Sequence, residues 1–397
     1  MKNTADVIII GGGIHGASLA FHLGQRGLKT LVLEKNVLAS GATGRSSGMV
    51  RMHYDLEPES RLAWESFQYF RNWGEMISGD TSAARSADCG FTRTGFIQLV
   101  PEKDEAALRS NIAMHQRIGI PALEIKPDDV KRLAPHFRTD DFNIAAYEPE
   151  SGYADPNAAT TSLMDAAKRL GARLVQDCIV RDIQLVSGKV TGVSTSQGEF
   201  SAPIVVNAAG AWAKEVAAMV GVELPITTWR HDVMYVRNPH TIPENYPAVI
   251  DNIHSMYFRP ETGGLTLVGL EDDNPLGESA EGYTDRAQPG FVERAIDRIC
   301  ERIPAMEAGD LHSDNGGYDG ISEDLRAVLG QIGPEGFYAQ CGFSGTGFKI
   351  APAVGLCMAE LIVDGAAKTV DITPFDPNRF ARGELLKGEN AYDDIWH

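Results

Sequence analysis

A glycine-rich turn near the start of the sequence has the residue types and spacing needed to bind a dinucleotide. Residues 11–16 read GGGIHG, which places Gly11, Gly13 and Gly16 at the glycines of a G-x-G-x-x-G motif. The first allows a tight turn, the second lets the backbone approach a pyrophosphate, and the third lets a helix pack closely on a strand. The predicted cofactor contacts in this turn are Gly11, Gly13, Ile14, His15 and Gly16.

The elements around this turn agree with it in order and spacing. Residues 7–10 are an apolar run typical of a strand buried on both faces, and residues 31–33 predict a second strand. A helix is predicted between them, and its N-terminal N–H groups would face the phosphates. Glu34 ends the second strand, where it can accept hydrogen bonds from a ribose and would repel a 2′-phosphate, which disfavours NADP. The unit alone does not separate NAD from FAD.

A loop of small and polar residues follows. Residues 39–48 read ASGATGRSSG, a composition suited to lying against a ligand. Arg45 and, just beyond the loop, Arg51 are basic residues in an acidic chain, which favours contact with an anion. Arg51 is the best candidate for a substrate carboxylate, because a guanidinium can grip a carboxylate through two parallel hydrogen bonds. A structural loop arginine is the alternative.

Two later segments repeat the pattern of a buried strand that ends in glycine. Residues 203–210 read PIVVNAAG and lead into Trp212, and residues 336–342 read GFYAQCG and lead into residues 343–349, FSGTGFK. Each offers another close approach of backbone to a ligand. The nucleotide site is therefore predicted to be built from three separated segments.

These segments carry a resemblance to the D-amino-acid-oxidase-like flavoproteins. Residues 11–16 with Glu34, residues 210–212 (GAW) and residues 342–349 (GFSGTGFK) follow one another as in that family, and the last stretch is the most specific. The likeness spans nearly the whole chain and is strongest to the branch of sarcosine oxidase and its β subunit, glycine oxidase, and proline or hydroxyproline dehydrogenases. It implies FAD stretched across the three segments and oxidation of the C–N bond of an amino acid, with hydride transfer to flavin N5.

The resemblance and the alternating texture of the chain predict an α/β fold, α+β overall. A Rossmann-type FAD-binding domain is predicted to comprise residues 1–88, 148–222 and 312–397. An inserted mixed-sheet domain that binds substrate would comprise residues 89–147 and 223–311.

Further cofactor contacts are predicted from all three segments. Beside the glycine turn and Glu34, they are Lys35, Arg45, Ser46, Ser47, Val180, Ala209, Gly210, Trp212, Gly345, Thr346, Gly347, Phe348 and Lys349. Flavin reduction leaves negative charge at the N1/O2 edge, which a glycine-rich helix N-terminus and Lys349 can stabilise. A solvated surface lysine is the alternative for Lys349.

The predicted catalytic residues are Arg51, Lys349, Tyr257 and His53. By resemblance, Arg51 matches the arginine that binds substrate in sarcosine oxidases, and Tyr257 belongs to a strand that lines the family's substrate pocket. His53, His231 and His254 are each candidates for a base that leaves the amine neutral, although desolvation and the flavin can suffice without one.

Three positions depart from the family. Residues 318–321 (YDGI) lack the cysteine that attaches flavin in some relatives, and Pro156 replaces a flavin-bearing histidine. We therefore expect FAD to bind non-covalently. Thr266 replaces a lysine that promotes reaction with oxygen, so a dehydrogenase with another electron acceptor stays open.

Composition limits the partners and the compartment. The 54 acidic against 36 basic residues give a net charge of −18, which argues against nucleic acid or an anionic membrane as the main partner. No apolar run is long enough to span a bilayer. The 5 scattered cysteines form no C-x-x-C pair, a pattern typical of a reducing cytoplasm. No metal site is predicted, and a homo-oligomer or a subunit of a larger complex stays open.

The function predicted from the sequence is FAD-dependent oxidation of a small amino acid. A secondary amine is favoured, such as an N-methyl or cyclic amino acid of the sarcosine, proline or hydroxyproline type. A D-amino acid and a 2-hydroxy acid are alternatives, since Arg51 would bind either carboxylate. A flavin-binding subunit without turnover is the alternative of a different class.

Overall fold

The computed structural model describes residues 3–78, 88–282 and 285–392. In chain order, its strands are β1 (Val7–Ile10), β2 (Thr30–Leu33), β3 (Met49–Val50), β4 (Thr92–Arg93), β5 (Phe96–Leu99), β6 (Leu123–Ile125), β7 (Ala145–Glu148), β8 (Gly152–Tyr153), β9 (Arg173–Val175), β10 (Val180–Val186), β11 (Lys189–Thr195), β12 (Gly198–Ser201), β13 (Ile204–Asn207), β14 (Ile226–Arg237), β15 (Ala248–Asp251), β16 (Met256–Glu261), β17 (Leu265–Leu270), β18 (Asp310–Ser322), β19 (Val328–Gln331) and β20 (Phe337–Cys341). Its α-helices are α1 (Ile14–Gln25), α2 (Glu57–Arg71), α3 (Trp73–Ser78), α4 (Glu105–Ile118), α5 (Pro127–Leu133), α6 (Pro156–Arg169), α7 (Ala213–Ala218), α8 (Phe291–Arg302), α9 (Gly347–Asp364) and α10 (Arg379–Arg382).

A mainly parallel sheet carries the glycine-rich turn. Its strand order is β19-β20-β13-β1-β2-β9, with β1 at the centre and β19 antiparallel at one edge. Every residue of β1 is buried, as the apolar run predicts. Alternate residues face opposite sides. Val7 and Ile9 pack in the core formed with α1, α6 and α9, whereas Ile8 and Ile10 pack towards the small antiparallel sheet β10-β11-β12.

A second, larger sheet is mixed. Its order is β18-β14-β17-β16-β15-β5-β7-β6, and β14 pairs with β18 along most of its length. One face forms a separate core with α8, to which Phe258, Val268 and Leu270 contribute. On the other face, Tyr257 packs with Phe96 and Ile250. This face is turned towards the parallel sheet and supplies one wall of the site described below.

These sheets confirm the α/β class with several mixed sheets. The proline at position 127 predicts a short helix over residues 127–133, and α5 has these bounds. The pair Asp155 and Pro156 predicts another helix start, and Asp155 caps α6, because its carboxylate accepts hydrogen bonds from the N–H groups of Asn157 and Ala158. The division into two domains stays a prediction. Its boundary at residue 312 falls inside β18, which is paired with β14 on both sides of that point.

The sequence predicts one strand over residues 91–100, one strand over residues 173–180 and a helix over residues 351–364, and the structure differs in all three. The strand expected over residues 91–100 is split into β4 and β5, because Gly95 between them adopts a φ of +79°. The strand expected over residues 173–180 ends at Val175, and β10 starts only after a turn in which Asp177 has a φ of +54°. Helix α9 begins at Gly347 rather than at residue 351, which places Lys349 in its first turn.

None of the helices within residues 3–78, 88–282 and 285–392 has the length and apolar character required to cross a membrane.

Candidate active site

A cleft of about 1070 Å³ lies where the carboxyl ends of the parallel strands meet the large mixed sheet. Ligands of open α/β sheets bind at this edge. The ends of β1, β2 and β13 line one wall, and Ile250 and Tyr257 of the mixed sheet line the opposite wall. The volume is at the upper end of the usual range for small-molecule sites, which suits an extended ligand.

The glycine turn needs glycine for steric reasons at two positions. Gly11 has a φ of +115°, and a Cβ there would lie 2.3 Å from the carbonyl oxygen of Ala208. A Cβ on Gly16 would lie 2.1 Å from the carbonyl oxygen of Gly11, so this glycine lets α1 pack on the turn. The Glu34 carboxylate accepts hydrogen bonds from the N–H groups of Gly12 and Asn36, both at 2.8 Å. These bonds fix the carboxylate in the cleft wall.

Two basic residues at the rim of the cleft have partners within the protein. Lys35 Nζ lies 2.5 Å from a Glu281 carboxylate oxygen and 3.6 Å from the centre of the Trp212 ring. Arg45 donates through Nε to the carbonyl oxygen of Gly316 at 3.2 Å and pairs with Asp285 at 2.5 Å. Both residues line the cleft. They can contribute positive potential there together with other basic residues of the cleft.

The turn before α9 packs directly against the glycine turn. The His15 ring stacks on Phe343 with centroids 3.5 Å apart and planes 5° apart. A Cβ on Gly347 would lie 2.9 Å from His15 Nε2, so a side chain at this position would displace the histidine. Burial lowers the pKa of His15 to about 3, and the ring is therefore neutral. The backbone N–H of Gly345 donates to Asp319 at 2.6 Å and fixes the turn.

Two buried basic side chains line one end of the cleft. Arg51 donates to the carbonyl oxygen of His53, and its Cζ lies 4.9 Å from the centre of the Tyr54 ring. Lys349 Nζ lies 5.5 Å from the same ring. Burial, followed by the charge of Arg51, holds the pKa of Lys349 well below its usual range. An anion bound here would oppose that shift and favour the protonated amine, so this end of the cleft is suited to an anionic group.

Tyr257 lies against the cleft side of the mixed sheet. It pairs with Gly269 across β16 and β17, and a Cβ on that glycine would lie 2.1 Å from the ring carbon Cζ of Tyr257. The glycine therefore makes room for the ring. Burial, followed by the charge of Glu271, raises the pKa of Tyr257, so the phenol keeps its proton.

His53 lies outside the cleft wall, behind Arg51. Its Nε2 is 2.6 Å from the Tyr392 hydroxyl, and burial, then His115 and Arg51, hold its pKa well below the usual range. Ligand atoms of His53, His115 and Glu148 lie within 4.8 Å of one another, a grouping that could hold a metal. The positive charge of Arg51 acts on all three and disfavours a cation there.

The other two candidate bases, His231 and His254, lie in different parts of the structure. His231 lines the cleft, and burial lowers its pKa to about 4. His254 lies 3.1 Å from Asp141 and is not among the lining residues. Thr266 lies on the face turned away from the cleft, where its hydroxyl is 2.5 Å from that of Tyr246. A cationic side chain at position 266 would therefore not contact a cofactor bound in the cleft.

The cleft gathers most of the residues that the sequence singled out. Among the predicted contacts, those that line it are Gly11, Gly13, Ile14, His15, Glu34, Lys35, Arg45, Ser46, Ser47, Arg51, Val180, Ala209, Gly210, Trp212, Tyr257, Gly345, Thr346, Gly347, Phe348 and Lys349. Gly16 and His53 are not among the lining residues.

The polar residues of the wall that sequence reasoning missed include Glu271, Asp319 and Gln340. Asp319 stands in the stretch that was searched only for cysteine. Gln340 stands inside a strand, so the alternation of buried side chains could have singled it out. Glu271 begins the acidic run of residues 271–273, which is typical of an exposed loop.

The walls fit FAD, the cofactor expected from the sequence. The glycine turn leaves backbone where a Cβ would block the approach, and Glu34 is held at the end of the neighbouring strand. In addition, Gln340 Oε1 is a buried acceptor with no hydrogen-bond partner among the residues that the structure describes, although its Nε2 donates to the carbonyl oxygen of His15. A buried polar atom without a partner in a cleft wall indicates a polar ligand.

Comparison with known proteins agrees with this cofactor. The model of the family described as DAO, FAD dependent oxidoreductase, matches residues 6–361. Mitochondrial sarcosine dehydrogenase of Mus musculus is 28% identical over 395 residues, which cover 96% of this chain but 42% of the relative. The chain thus spans less than half the length of that relative.

Two solved structures share the fold over almost their whole length. L-proline dehydrogenase from P. horikoshii has a TM-score of 0.88 and 28% identity, covering 97% of this chain and 100% of the other. Glycine oxidase from Geobacillus kaustophilus has a TM-score of 0.82 and 26% identity, covering 95% and 99%. The sequence resemblance to this group of flavoproteins is therefore confirmed.

Proposed function

The chain belongs to the DAO family of FAD-dependent oxidoreductases, and from this premise we propose that it oxidises the C–N bond of a small amino acid. The observation that carries the proposal is the pair of buried basic side chains, Arg51 and Lys349, at one end of a cleft that fits FAD. A substrate carboxylate is the anion expected there. The names of two relatives, sarcosine dehydrogenase and L-proline dehydrogenase, favour a secondary amine.

The residues that would hold FAD come from the three predicted segments. The glycine turn and the first turn of α1 would face the pyrophosphate, and Glu34 would accept hydrogen bonds from the ribose. Lys349 and the glycine-rich turn before α9 would supply positive potential beside the flavin ring. When bound, FAD supplies the two-electron oxidation. The absence of cysteine in residues 318–321 and of histidine at position 156 supports non-covalent binding.

The substrate would be held between the two sheets. Arg51 would bind its carboxylate through two charge-assisted hydrogen bonds. Tyr257 and Ile250 would cover the rest of the molecule and exclude water, because both belong to the apolar cluster on the cleft side of the mixed sheet. With water excluded, the charges of Arg51 and Lys349 act on the substrate more strongly than in solvent.

Anaerobic flavin bleaching tests the proposal. The purified holoenzyme is mixed with sarcosine, proline, hydroxyproline, glycine and D-alanine, and with the 2-hydroxy acids that correspond to them. We expect bleaching of the yellow absorption by a secondary amino acid. Bleaching by 2-hydroxy acids alone would overturn the assignment of the C–N bond, and no bleaching by any of them would favour a flavin-binding subunit without turnover.

The acceptor and the compartment belong to the same proposal. A cytoplasmic location and a small-molecule partner stay predictions. They are supported by the acidic composition and by the cysteines, which form no disulfide within the described residues. Thr266 lies on the opposite face of the sheet, so we do not expect this residue to determine the rate of the reaction with oxygen. Peroxide production during turnover in air would measure that reaction directly.

A further inference from the structure

A carboxylic side chain lies in the cleft wall beside the two buried basic side chains. Glu271 lines the cleft together with Arg51, Tyr257 and Lys349. It was not among the residues that the sequence indicated, because it begins an acidic run directly after β17. Its place in the cleft comes from the register of the mixed sheet.

The alternation of side chains along β17 explains this placement. Val268 and Leu270 pack in the core on the far face of the sheet. Gly269 faces the cleft, where the Tyr257 ring lies over it. Glu271 is two residues further along and therefore shares the cleft face. Its backbone N–H donates to the carbonyl oxygen of Ser255 at 2.9 Å. This bond holds the end of β17 against the residue that precedes β16.

Burial has a larger effect on the pKa of the Glu271 carboxyl than any single neighbouring charge. Burial raises the pKa of Glu271 well above its usual range. Arg51 and Lys349 oppose this shift, whereas Asp251 and Asp272 add to it. The net result is a raised pKa, and a positively charged group entering the cleft beside Glu271 would oppose this shift by stabilising the carboxylate. The amino group of an amino acid is such a group.

We propose that Glu271 pairs with the amino group of the substrate while Arg51 holds its carboxylate, so that the site selects zwitterionic amino acids over 2-hydroxy acids. This inference rests on the proposed function and deepens it, since it names the residue that determines the class of substrate. A hydroxyl in the place of the amino group offers no positive charge to Glu271. One charge-assisted hydrogen bond then discriminates by roughly 10- to 100-fold.

A matched pair of unreactive ligands tests the proposal without turnover. 2-Aminoisobutyrate and 2-hydroxyisobutyrate have the same carbon skeleton, and neither carries a hydrogen on C2, so neither can be oxidised there. Their Kd values for the holoenzyme are measured by isothermal titration calorimetry, and the flavin absorption confirms that the cofactor stays oxidised. We expect the amino compound to bind the wild-type protein about 10-fold or more tightly than the hydroxy compound.

The variant Glu271→Gln keeps the shape of the side chain and removes its charge. It should reduce the preference for the amino compound by roughly 10- to 100-fold and leave the Kd of the hydroxy compound little changed. Glu271→Asp retains a carboxylate and should keep part of the preference. The matched control is Asp272→Asn, which removes a neighbouring charge that is paired with Arg298 at 2.5 Å and is not among the lining residues. This control should keep the wild-type preference.

Three results would overturn the proposal. Equal binding of the two ligands by the wild-type protein does so without any variant, even if Glu271→Gln fails to fold. A preference that survives in Glu271→Gln does so directly. An equal loss in Asp272→Asn would assign the preference to the general field rather than to Glu271. Failure of the proposed function looks different, because then no amino acid bleaches the flavin, whatever the two ligands do.

Discussion

Arg51 and Arg326 are both buried arginines, with 3% and 2% of their surface exposed, yet they lie in different surroundings. Arg326 is held by carboxylates of the protein, with Asp55 at 2.8 Å and Glu59 also paired to its guanidinium. Arg51 lies only a few residues before these acids in sequence, but it lines the cleft and donates to the carbonyl oxygen of His53. Burial alone therefore does not identify a binding residue. What distinguishes a candidate binding residue is that its charge lies in the wall of the cleft.

The two arginines should therefore differ in what their removal changes, which is either stability or binding. Removing an arginine that is paired inside the fold leaves buried carboxylates without compensation, which lowers the free energy of unfolding. Removing an arginine that faces a ligand weakens binding in the transition state. The predictions below test whether the two arginines divide in this way.

The largest effect is expected for Arg51→Met. Two charge-assisted hydrogen bonds to the substrate carboxylate are lost, so kcat/KM for the best amino acid should fall by roughly 10²- to 10⁴-fold. Arg51→Lys should recover only part of this loss, because a point charge does not reproduce the planar guanidinium. Steady-state kinetics measures both variants, and the FAD content serves as the control. Kinetics close to wild type would move Arg51 to the same structural class as Arg326.

For Arg326→Met, the effect is expected on stability. Asp55 and Glu59 stay buried without their cation, which should lower the free energy of unfolding by about 3–5 kcal/mol. Urea denaturation at saturating FAD measures it. The folded fraction should retain most of its kcat/KM, and the loss of stability should exceed that of Arg51→Met. If Arg51→Met is destabilised as strongly as Arg326→Met, the comparison between the two residues is wrong.

A smaller effect is expected for Gly269→Ala, which sharpens the description of the cleft wall. The new Cβ would lie 2.1 Å from Tyr257 Cζ and would push the ring into the cleft. Such overpacking costs about 1–3 kcal/mol, expressed here as a higher KM or as lower stability. In a double-mutant cycle, Gly269→Ala should cost little once Tyr257→Ala is present. Additive losses would show that the glycine acts independently of the tyrosine.

The local motifs of the cleft could be predicted from sequence, because backbone geometry alone requires them. The glycine turn of residues 11–16 and the FSGTGFK stretch of residues 343–349 are examples, since a side chain at Gly11 or Gly347 would meet neighbouring atoms. The register of the mixed sheet could not be predicted in this way. It places Glu271 in the cleft and Thr266 on the far face, although both belong to one short stretch.

Strand β18 was missed for a related reason. Its sequence, DLHSDNGGYDGIS, has few of the β-branched and aromatic residues that favour strands. It is a strand because β14 supplies hydrogen bonds along most of its length, and this contact joins residues far apart in sequence. Gly317 leaves space for Arg45, whose Cδ lies 2.1 Å from where a Cβ on this glycine would be. Tertiary packing thus overrides local propensity in an element that also lines the cleft.

The last effect concerns a buried group that the fold keeps neutral, and it develops only as the pH falls. His22 is buried in α1, with Nδ1 3.1 Å from the Gln25 amide oxygen, and it is not among the residues that line the cleft. Burial is the main cause that lowers its pKa to about 4, against 6.5 for the unperturbed group. Between these two values the unfolded chain binds more protons than the folded one. The free energy of unfolding should therefore fall as the pH falls from 6.5 to 4, by at most about 1.4 kcal/mol per pH unit from this residue.

His22→Leu removes the titrating ring and keeps an apolar side chain, so its stability should depend less on pH in this window than that of the wild type. Urea denaturation of both proteins at saturating FAD, at several values between pH 6.5 and 4, measures the difference. The two free energies should converge or cross as the pH falls, because the wild type alone loses the contribution of His22. Parallel curves would show that the fold admits the proton at His22 without cost. Burial outside the cleft would then tolerate a charge without a carboxylate partner, and the distinction drawn from Arg326 would fail at this site.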